Sequence, residues 1–247
     1  MDENFWLART DLLLGMKKLE ALRKSHVLVA GLGGVGGYAA EAICRAGVGE
    51  MTIVDSDVVR PSNRNRQLLA LKSTEEQEKV KLMAERLMDV NPDLKLHAIK
   101  TYLKDEKIPE LLVGHYDYVV DAIDTLSPKI FFIKHCLERG LPLVSSMGAG
   151  GRLDPSKITV GDLSASYGCT FAQVVRKKLH GWGIRSGFKV VFSPEPVPKH
   201  VVLLTENEAN KKSTVGTISY LPAMFGLTAA SVVIRDLLDR KEDQSAP

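Results

Sequence analysis

A glycine-rich turn directly after a short apolar segment is the feature that most constrains the fold of this chain. Residues 26–30, HVLVA, have the β-branched, apolar composition of a buried strand, and GLGGVGG follows them before a helical pattern. The turn matches the spacing GxGxxG through Gly31, Gly33, Gly34 and Gly36. Glycines allow backbone N–H groups to approach phosphate closely, and the helix N-terminus adds partial positive charge. The segment therefore predicts a nucleotide-binding strand–turn–helix.

Strands and helices are predicted to alternate from residue 26 to residue 146. The predicted strands span residues 26–30, 50–54, 94–99, 116–121 and 141–145. The predicted helices span residues 10–24, 37–46, 75–90 and 125–139. Short, almost entirely apolar strands indicate a parallel sheet covered on both faces. We therefore expect a Rossmann-like, doubly wound α/β fold, in which ligands lie at the carboxyl ends of the strands.

The pattern changes after residue 147. A basic amphipathic helix is predicted at 170–179, and strands are predicted at 189–192 and 201–204, which we expect to be antiparallel. No internal repeat or long linker interrupts the chain. The sequence therefore predicts one domain over residues 1–247, with a nucleotide-binding core at about 9–155 and a C-terminal antiparallel extension at about 156–247.

Composition excludes several classes of protein. The 247 residues are 45% hydrophobic and 26% charged, with a net charge of +3, which excludes a disordered or collagen-like chain. Cys44, Cys136 and Cys169 form no CxxC pair, which excludes a four-cysteine zinc site and a disulfide scaffold. The N-terminus, MDENFWLART, has no basic region followed by an apolar one, so we expect no signal peptide and a cytoplasmic protein.

One uncharged run of 17 residues, 218–234, is the candidate for a membrane-spanning segment. It is shorter than the roughly 20 residues that usually span a bilayer. It also contains Ser, Tyr, Pro, Thr and Gly. We expect a buried helix that begins near Pro222 and packs on the sheet, without stable membrane insertion, and membrane contact is the alternative.

Charged side chains follow two of the predicted strands. Asp55 ends the second strand, 19 residues after Gly36, where a carboxylate can accept hydrogen bonds from a ribose. The loop beyond it and the next helix carry Asp57, Asn63, Arg64, Asn65, Arg66, Gln67 and Lys79. Asp121 and Asp124 end the fourth strand, where a carboxylate can hold Mg²⁺. Such a set suits a triphosphate better than a redox cofactor, and a solvated loop is the alternative.

Four motifs in register resemble the adenylation core of the ubiquitin-activating enzyme superfamily: GLGGVG, DSDVVRPSNRNRQ, Lys79 and DAIDTLSPK. That superfamily includes the bacterial activators of sulfur-carrier proteins. The resemblance implies ATP, Mg²⁺, adenylation of a carboxylate and release of pyrophosphate. It implies catalytic roles for Arg9, Arg66, Lys79 and Asp124. It implies nucleotide contacts from Gly31, Gly33, Gly34, Gly36, Asp55, Asp57, Asn63, Arg66, Gln67, Lys79 and Asp124.

Within that pattern each residue has an implied role. Asp55 holds the ribose, and Asp124 binds Mg²⁺. The phosphates are contacted by Asn63, Arg66, Gln67 and Lys79. Arg9 is similar to an arginine that reaches into the partner's site, which implies a functional homodimer.

Departures from the superfamily pattern narrow the choice of branch. The chain lacks the two CxxC zinc pairs of sulfur-carrier activators and has no cysteine in the crossover after the fifth strand. Cys169 lies just downstream, and we interpret it as a non-catalytic thiol. GAGGRLDPSKI and FSPEPV resemble the tRNA threonylcarbamoyladenosine dehydratases over nearly the whole chain. That branch uses ATP to cyclise the threonylcarbamoyl group of a modified adenosine in tRNA.

Three other functions stay open at this stage. An activator of a ubiquitin-like sulfur carrier is disfavoured by the missing cysteines. A non-catalytic nucleotide-binding adaptor for a cysteine desulfurase system is disfavoured by the complete set Arg9, Arg66, Lys79 and Asp124. The alternative of a NAD-dependent oxidoreductase is supported by the GxGxxG spacing alone. Sulfur-transfer proteins are candidate partners, and the sequence leaves open whether Na⁺ or K⁺ orders the C-terminal region.

A tRNA substrate requires a cationic surface. The candidate cations are Arg176, Lys177, Lys178, His180, Arg185, Lys189, Lys199, Lys211 and Lys212. Trp182 and Phe188 are candidates for stacking on unpaired anticodon-loop bases, within an insert at about 181–215. A solvated helix face with core aromatic residues is the alternative.

Overall fold

The computed structural model describes residues 6–104, 106–204 and 213–243. Strands β1 to β9 span His26–Ala30, Glu50–Val54, Lys95–Ile99, Tyr118–Asp121, Leu143–Ser146, Thr159–Asp162, Lys189–Phe192, Val202–Leu204 and Ser213–Val215. Helices α1 to α8 span Ala8–Leu14, Met16–Arg23, Gly36–Arg45, Lys79–Val90, Lys107–Leu111, Leu126–Glu138, Thr170–His180 and Tyr220–Asp243.

Seven strands form one sheet in the order β3-β2-β1-β4-β5-β7-β6. Every neighbouring pair is parallel except β6 and β7, and β8 pairs with β9 in a separate antiparallel ribbon. This confirms the predicted doubly wound, mainly parallel α/β fold. Strand order reverses between β1 and β4, and such a reversal opens a crevice at the carboxyl ends of the strands.

Apolar side chains fill both faces of the sheet because successive residues of a strand point to opposite sides. Val27 and Val29 face a core that includes α3, α4 and α8. Leu28 and Ala30 face a second core that includes α5, α6 and α7. The strands are therefore held between two layers, and their carboxyl ends stay accessible to a ligand.

Two predictions about secondary structure were wrong, and one short helix was missed. Residues 10–24 form two helices rather than one, because Gly15 adopts a positive φ of 79° that ends α1. The strands at 189–192 and 201–204 do not pair with each other, because the apolar β7 lies inside the large sheet while β8 pairs with β9. The helix at 107–111 was not predicted because it is only five residues long.

All but the first two residues of the uncharged C-terminal run lie in α8, which begins at Tyr220, two residues before the predicted start at Pro222. Leu221, Phe225, Ala229 and Val233 are buried against α3 and the sheet. By length and composition alone Tyr220–Asp239 is one helix that could cross a membrane, yet 56% of its apolar window is buried in the protein. Its packing is that of the predicted core helix.

Candidate functional site

The glycine-rich turn joins β1 to α3, and its tight backbone leaves little or no room for a side chain at Gly31, Gly34 and Gly36. Gly31 has a φ of 90°, and a Cβ there would lie 2.8 Å from the carbonyl oxygen of Ala122. A Cβ on Gly36 would overlap the carbonyl oxygen of Gly31. A Cβ on Gly34 would meet Pro222 of α8 at 3.1 Å. The turn therefore needs glycine for close packing as well as for its conformation.

Asp55 fixes this turn from the end of β2. One carboxylate oxygen accepts a hydrogen bond from the backbone N–H of Leu32 at 2.6 Å, and the other accepts from the backbone N–H of Asp57 at 2.7 Å. Burial raises the pKa of Asp55 above its usual range, although the charge of Lys79 and the two N–H groups oppose this shift. A carboxylate has about four lone-pair positions, so Asp55 keeps acceptors for a ribose.

Lys79 is the first residue of α4 and is only 4% exposed. Its Nζ pairs with Asp57 Oδ2 at 2.9 Å, while the Asp57 side chain is 67% exposed. A cation is unfavourable at a helix N-terminus, because the helix dipole already places positive charge there. A buried cation at the start of a helix, whose ion-pair partner Asp57 is largely solvated, is well placed to contact an anionic ligand.

The loop between β2 and α4 gathers three more of the predicted residues. The backbone carbonyl of Asn63 accepts hydrogen bonds from the N–H groups of Arg66 and Gln67 at 3.0 and 2.9 Å. The Arg66 guanidinium donates to the carbonyl of Ser62 at 3.0 Å and to Asn65 Oδ1 at 2.9 Å. These contacts place Arg66 and Gln67 beside the glycine-rich turn, since the carbonyl of Arg66 and the Gln67 amide line Gly34 and Gly33.

Gln67 carries an acceptor with no partner among the described residues. The side chain is buried, with 9% of the residue exposed, and its Oε1 forms no hydrogen bond there. An unsatisfied buried amide oxygen costs roughly 1–3 kcal/mol. The amide nitrogen of Gln67 would lie 3.8 Å from a Cβ on Gly33, so the side-chain amide borders the glycine-rich turn.

A buried ion pair supports the loop after β4. Lys129 of α6 pairs with Asp121 at 2.8 Å, and both side chains are completely buried. Lys129 also donates to the carbonyl of Ile123 at 3.0 Å, while the N–H of Ile123 donates to Asp121 at 3.1 Å. Ser145 donates its hydroxyl to Asp121 at 2.6 Å. The loop is thus fixed from two sides, and it presents the exposed Asp124 at the carboxyl edge.

Sequence reasoning missed the roles of Lys129 and Ser145. A lysine within the apolar helix LSPKIFFIK was the available signal, because the neighbouring Ile130 and Ile133 already indicate the buried side of α6. The carboxyl edge thus brings together the glycine-rich turn, Asp55, Asp57, the 63–67 loop, Lys79 and Asp124. Carboxylate oxygens there are the ligands that Mg²⁺ prefers.

Arg9 is not part of this assembly within its own chain. It is exposed on α1, two residues from Leu7, and Leu7 packs on Gly47 just before β2 begins. That contact places the start of α1 near the amino-terminal edge of the sheet, opposite the nucleotide site. A role for Arg9 in catalysis therefore requires a second copy of the chain.

Some residues of the predicted cationic surface form contacts within the protein. Phe188 is 5% exposed and packs in the core, which agrees with the alternative of a core aromatic residue and removes Phe188 as a candidate for stacking on RNA bases. Arg176 donates to the carbonyl of Ser166, and Lys189 pairs with Asp236 at 2.6 Å. Trp182 remains 44% exposed. Lys211 and Lys212 lie outside the described residues.

Each cysteine is buried and free. Burial raises the pKa of Cys44 to about 11 and also raises the pKa of Cys136, which leaves both thiols protonated at neutral pH. Cys169 precedes α7 and packs among the apolar residues of the second core. These surroundings are typical of structural cysteines rather than of nucleophiles.

The fold and the site are those of α/β proteins that bind a nucleotide at the carboxyl edge of a parallel sheet. Comparison with protein-family models identifies the family. The sequence model of the ThiF family matches residues 8–247, and the chain belongs to the ThiF family.

Individual relatives show which members of the family the chain is similar to. The chain is 40% identical over 238 residues to the tRNA threonylcarbamoyladenosine dehydratase of Bacillus subtilis, with 94% of each chain covered. Its structure matches that of the Escherichia coli tRNA N6-threonylcarbamoyladenosine dehydratase in complex with ATP, with a TM-score of 0.88 and 31% identity over 96% of this chain and 95% of that one. The molybdopterin-synthase adenylyltransferase of E. coli is 36% identical over 141 residues, 57% of this chain and 55% of its own. The predicted resemblance to the dehydratase branch is confirmed.

Proposed function

We propose that this protein is an ATP-dependent enzyme that cyclises threonylcarbamoyladenosine in tRNA by adenylating the threonyl carboxylate. The observation that carries the proposal is the 40% identity to a dehydratase of this activity over 94% of both chains. Similarity to the sulfur-carrier adenylyltransferase covers 57% of this chain, and the sequence lacks CxxC pairs. Activation of a sulfur carrier is therefore the second candidate.

The reaction follows from the chemistry of a carboxylate. A threonyl carboxylate oxygen attacks the α-phosphorus of ATP, pyrophosphate leaves, and an acyl-adenylate forms. An oxygen or nitrogen of the same modified side chain then attacks the activated carbonyl carbon, AMP leaves, and the ring closes. The tRNA product has lost one water. The second step is intramolecular and gains from proximity, so it needs no enzyme nucleophile.

The residues at the carboxyl edge suit this reaction. Lys79 and Arg66 supply cationic groups for the phosphates, and the Gln67 amide nitrogen beside Gly33 supplies an N–H donor. Asp55 is the acceptor for the ribose, and Asn63 and the glycine-rich turn complete the pocket. Asp124 is the ligand for Mg²⁺, which when bound neutralises charge on the phosphates.

A homodimer completes the site in this proposal. Arg9 of one protomer contributes to the site of its partner, because Arg9 is exposed at the edge opposite its own site. The monovalent cation, the sulfur-transfer partners and the cytoplasmic location stay predictions from the sequence.

The test is AMP release from ATP with two tRNAs, one carrying threonylcarbamoyladenosine and one lacking it. We expect AMP only with the modified tRNA, together with loss of one water from the nucleoside by mass spectrometry. Cys169→Ser should keep this activity, whereas Asp124→Ala should lose it while remaining folded. AMP release that requires instead a carrier protein ending in Gly-Gly would support the second candidate and reject the first.

A further inference from the structure

A cluster of histidine and carboxylate side chains lies at the amino end of the strands, away from the nucleotide site. In the parallel register His26 of β1 lies beside Glu50 of β2, and Glu50 lies beside Lys95 of β3. His97 is two residues further along β3 and therefore on the same face. Glu50 and Asp55 are five residues apart, which separates this cluster from the nucleotide site by roughly 16 Å along β2.

The distances within this cluster are close to those of metal ligands. Glu50 Oε1 is 3.5 Å from His26 Nδ1 and 2.9 Å from His97 Nε2. One ligand atom from each of the three residues can be chosen so that all lie within 4.8 Å of one another. A tetrahedral zinc ion with bonds of about 2.1 Å separates its ligand atoms by about 3.4 Å. The Glu50–His97 contact would have to open by about half an ångström to reach that separation, and the His97 side chain is 43% exposed and can adjust.

The imidazole of His26 is oriented by a second hydrogen bond. Its Nε2 lies 2.9 Å from the hydroxyl of Thr52. When Nε2 carries the proton and donates to Thr52, Nδ1 presents its lone pair toward Glu50. Histidine ligands of metals ordinarily have their other nitrogen held in this way, because the contact fixes ring and tautomer.

The surroundings leave access for an ion and a further ligand. His26, Glu50, Thr52 and His97 line an open depression of about 590 Å³ on the sheet. Three protein ligands with an open position are the arrangement of non-structural zinc sites, where water takes the fourth position. Two imidazoles and one carboxylate favour zinc and neighbouring transition metals over Mg²⁺ or Ca²⁺.

We propose that His26, Glu50 and His97 form a binding site for a divalent transition-metal ion, with zinc as the best fit. One cation already contacts this cluster: Lys95 Nζ lies 2.9 Å from Glu50 Oε1. The Lys95 side chain is 66% exposed, so it can withdraw when an ion binds. Lys95 therefore competes with the ion for the same carboxylate oxygen.

Binding of Zn²⁺ to the full-length protein, freed of metal with a chelator that is then removed, tests this proposal. Competition against a chromophoric chelator should give one ion per chain. His97→Gln and Glu50→Gln should each weaken binding by at least about tenfold, because losing a ligand costs no less than losing a residue that orients one. Lys95→Ala should strengthen binding, an effect that a simple ion-pair cluster does not produce.

The matched control is His180→Gln, which removes an exposed histidine at the end of α7 and should bind Zn²⁺ like the wild type. Thermal unfolding of each variant without metal shows that the fold is kept, and added Zn²⁺ should raise the Tm only where the three ligands are intact. The proposal is wrong if the wild type binds no stoichiometric ion. It is also wrong if His97→Gln and Glu50→Gln bind as well as His180→Gln does.

Discussion

Among single residues, Lys129 shows how burial determines the loss of stability when one partner of an ion pair is removed. Its pair with Asp121 is completely enclosed, whereas Lys134, one turn further along α6, pairs with Glu138 at the surface. Replacing one partner of a buried pair leaves the other charge uncompensated, which costs roughly 3–5 kcal/mol. An exposed i,i+4 pair contributes only about 0.3–0.5 kcal/mol.

We therefore expect Lys129→Ala to lower the free energy of unfolding by about 3–5 kcal/mol. Lys134→Ala should lower it by no more than about 1.5 kcal/mol, because Lys134 also lies 5.8 Å from the ring centre of Trp182. Urea unfolding followed by circular dichroism measures both. Because Lys129 also fixes the loop that presents Asp124, the loss should be accompanied by weaker nucleotide binding. Equal destabilisation by the two substitutions would show that the Asp121 carboxylate is not left buried and unpaired.

The residues that sequence reasoning found are those whose roles depend on local spacing. Gly31 and Gly36 follow from the strand–turn–helix pattern, and Asp55 follows from its place at the end of the next strand. The apolar neighbours of Lys129 indicate only that it lies on the buried side of α6, whereas its pairing with Asp121 depends on how α6 packs on β4. The sequence left open whether Phe188 stacks on RNA bases or packs in the core, since only the tertiary packing shows that it is enclosed.

At the level of elements, α8 and α3 are packed so closely that one position tolerates only glycine. A Cβ on Gly226 would overlap the carbonyl oxygen of Val35, the residue that precedes α3. Alanine in place of glycine normally stabilises a helix interior by roughly 1 kcal/mol through backbone entropy. Overpacking against a backbone atom costs about 1–3 kcal/mol, so the two effects have opposite signs.

We expect overpacking to dominate, so that Gly226→Ala lowers the free energy of unfolding despite its higher helix propensity. The shift of α8 should also disturb the glycine-rich turn, because Pro222 of α8 lies against Gly34. Thermal unfolding and nucleotide binding measure the two effects. Ser231→Ala, at an exposed position of the same helix, is the control and should change stability by no more than about 0.5 kcal/mol. Stabilisation by Gly226→Ala would contradict the close contact.

Element order was predicted better than element pairing. Apolar periodicity located β1, β2, β7 and α7 within one residue at either end, because burial on the sheet dictates those patterns. The predicted pairing of β7 with β8 was wrong, because the pairing of a strand depends on which neighbouring strand has a free edge. β7 lies between β5 and β6, and β8 pairs with β9. The break at Gly15 was missed because a single glycine is compatible with a continuous helix until its φ is known.

At the scale of the whole molecule, the question is whether one chain contains a complete site. Asp124 lies at the carboxyl edge of the sheet, while Arg9 is exposed near the opposite edge. If Arg9 acts in the site of a partner, two inactive variants can complement each other. An Arg9→Ala chain keeps Asp124 for its own site, and an Asp124→Ala chain keeps Arg9 to supply it.

We expect Arg9→Ala and Asp124→Ala to be inactive alone and active after subunit exchange. Random exchange in a twofold dimer makes half the dimers mixed, each with one complete site, so activity should reach about a quarter of wild type. AMP release with modified tRNA measures it, and unexchanged mixtures give the baseline. If Arg9 acted within its own chain, every mixed dimer would contain only incomplete sites. Activity that stays at baseline, with mixed dimers verified by mass, would therefore reject the shared site.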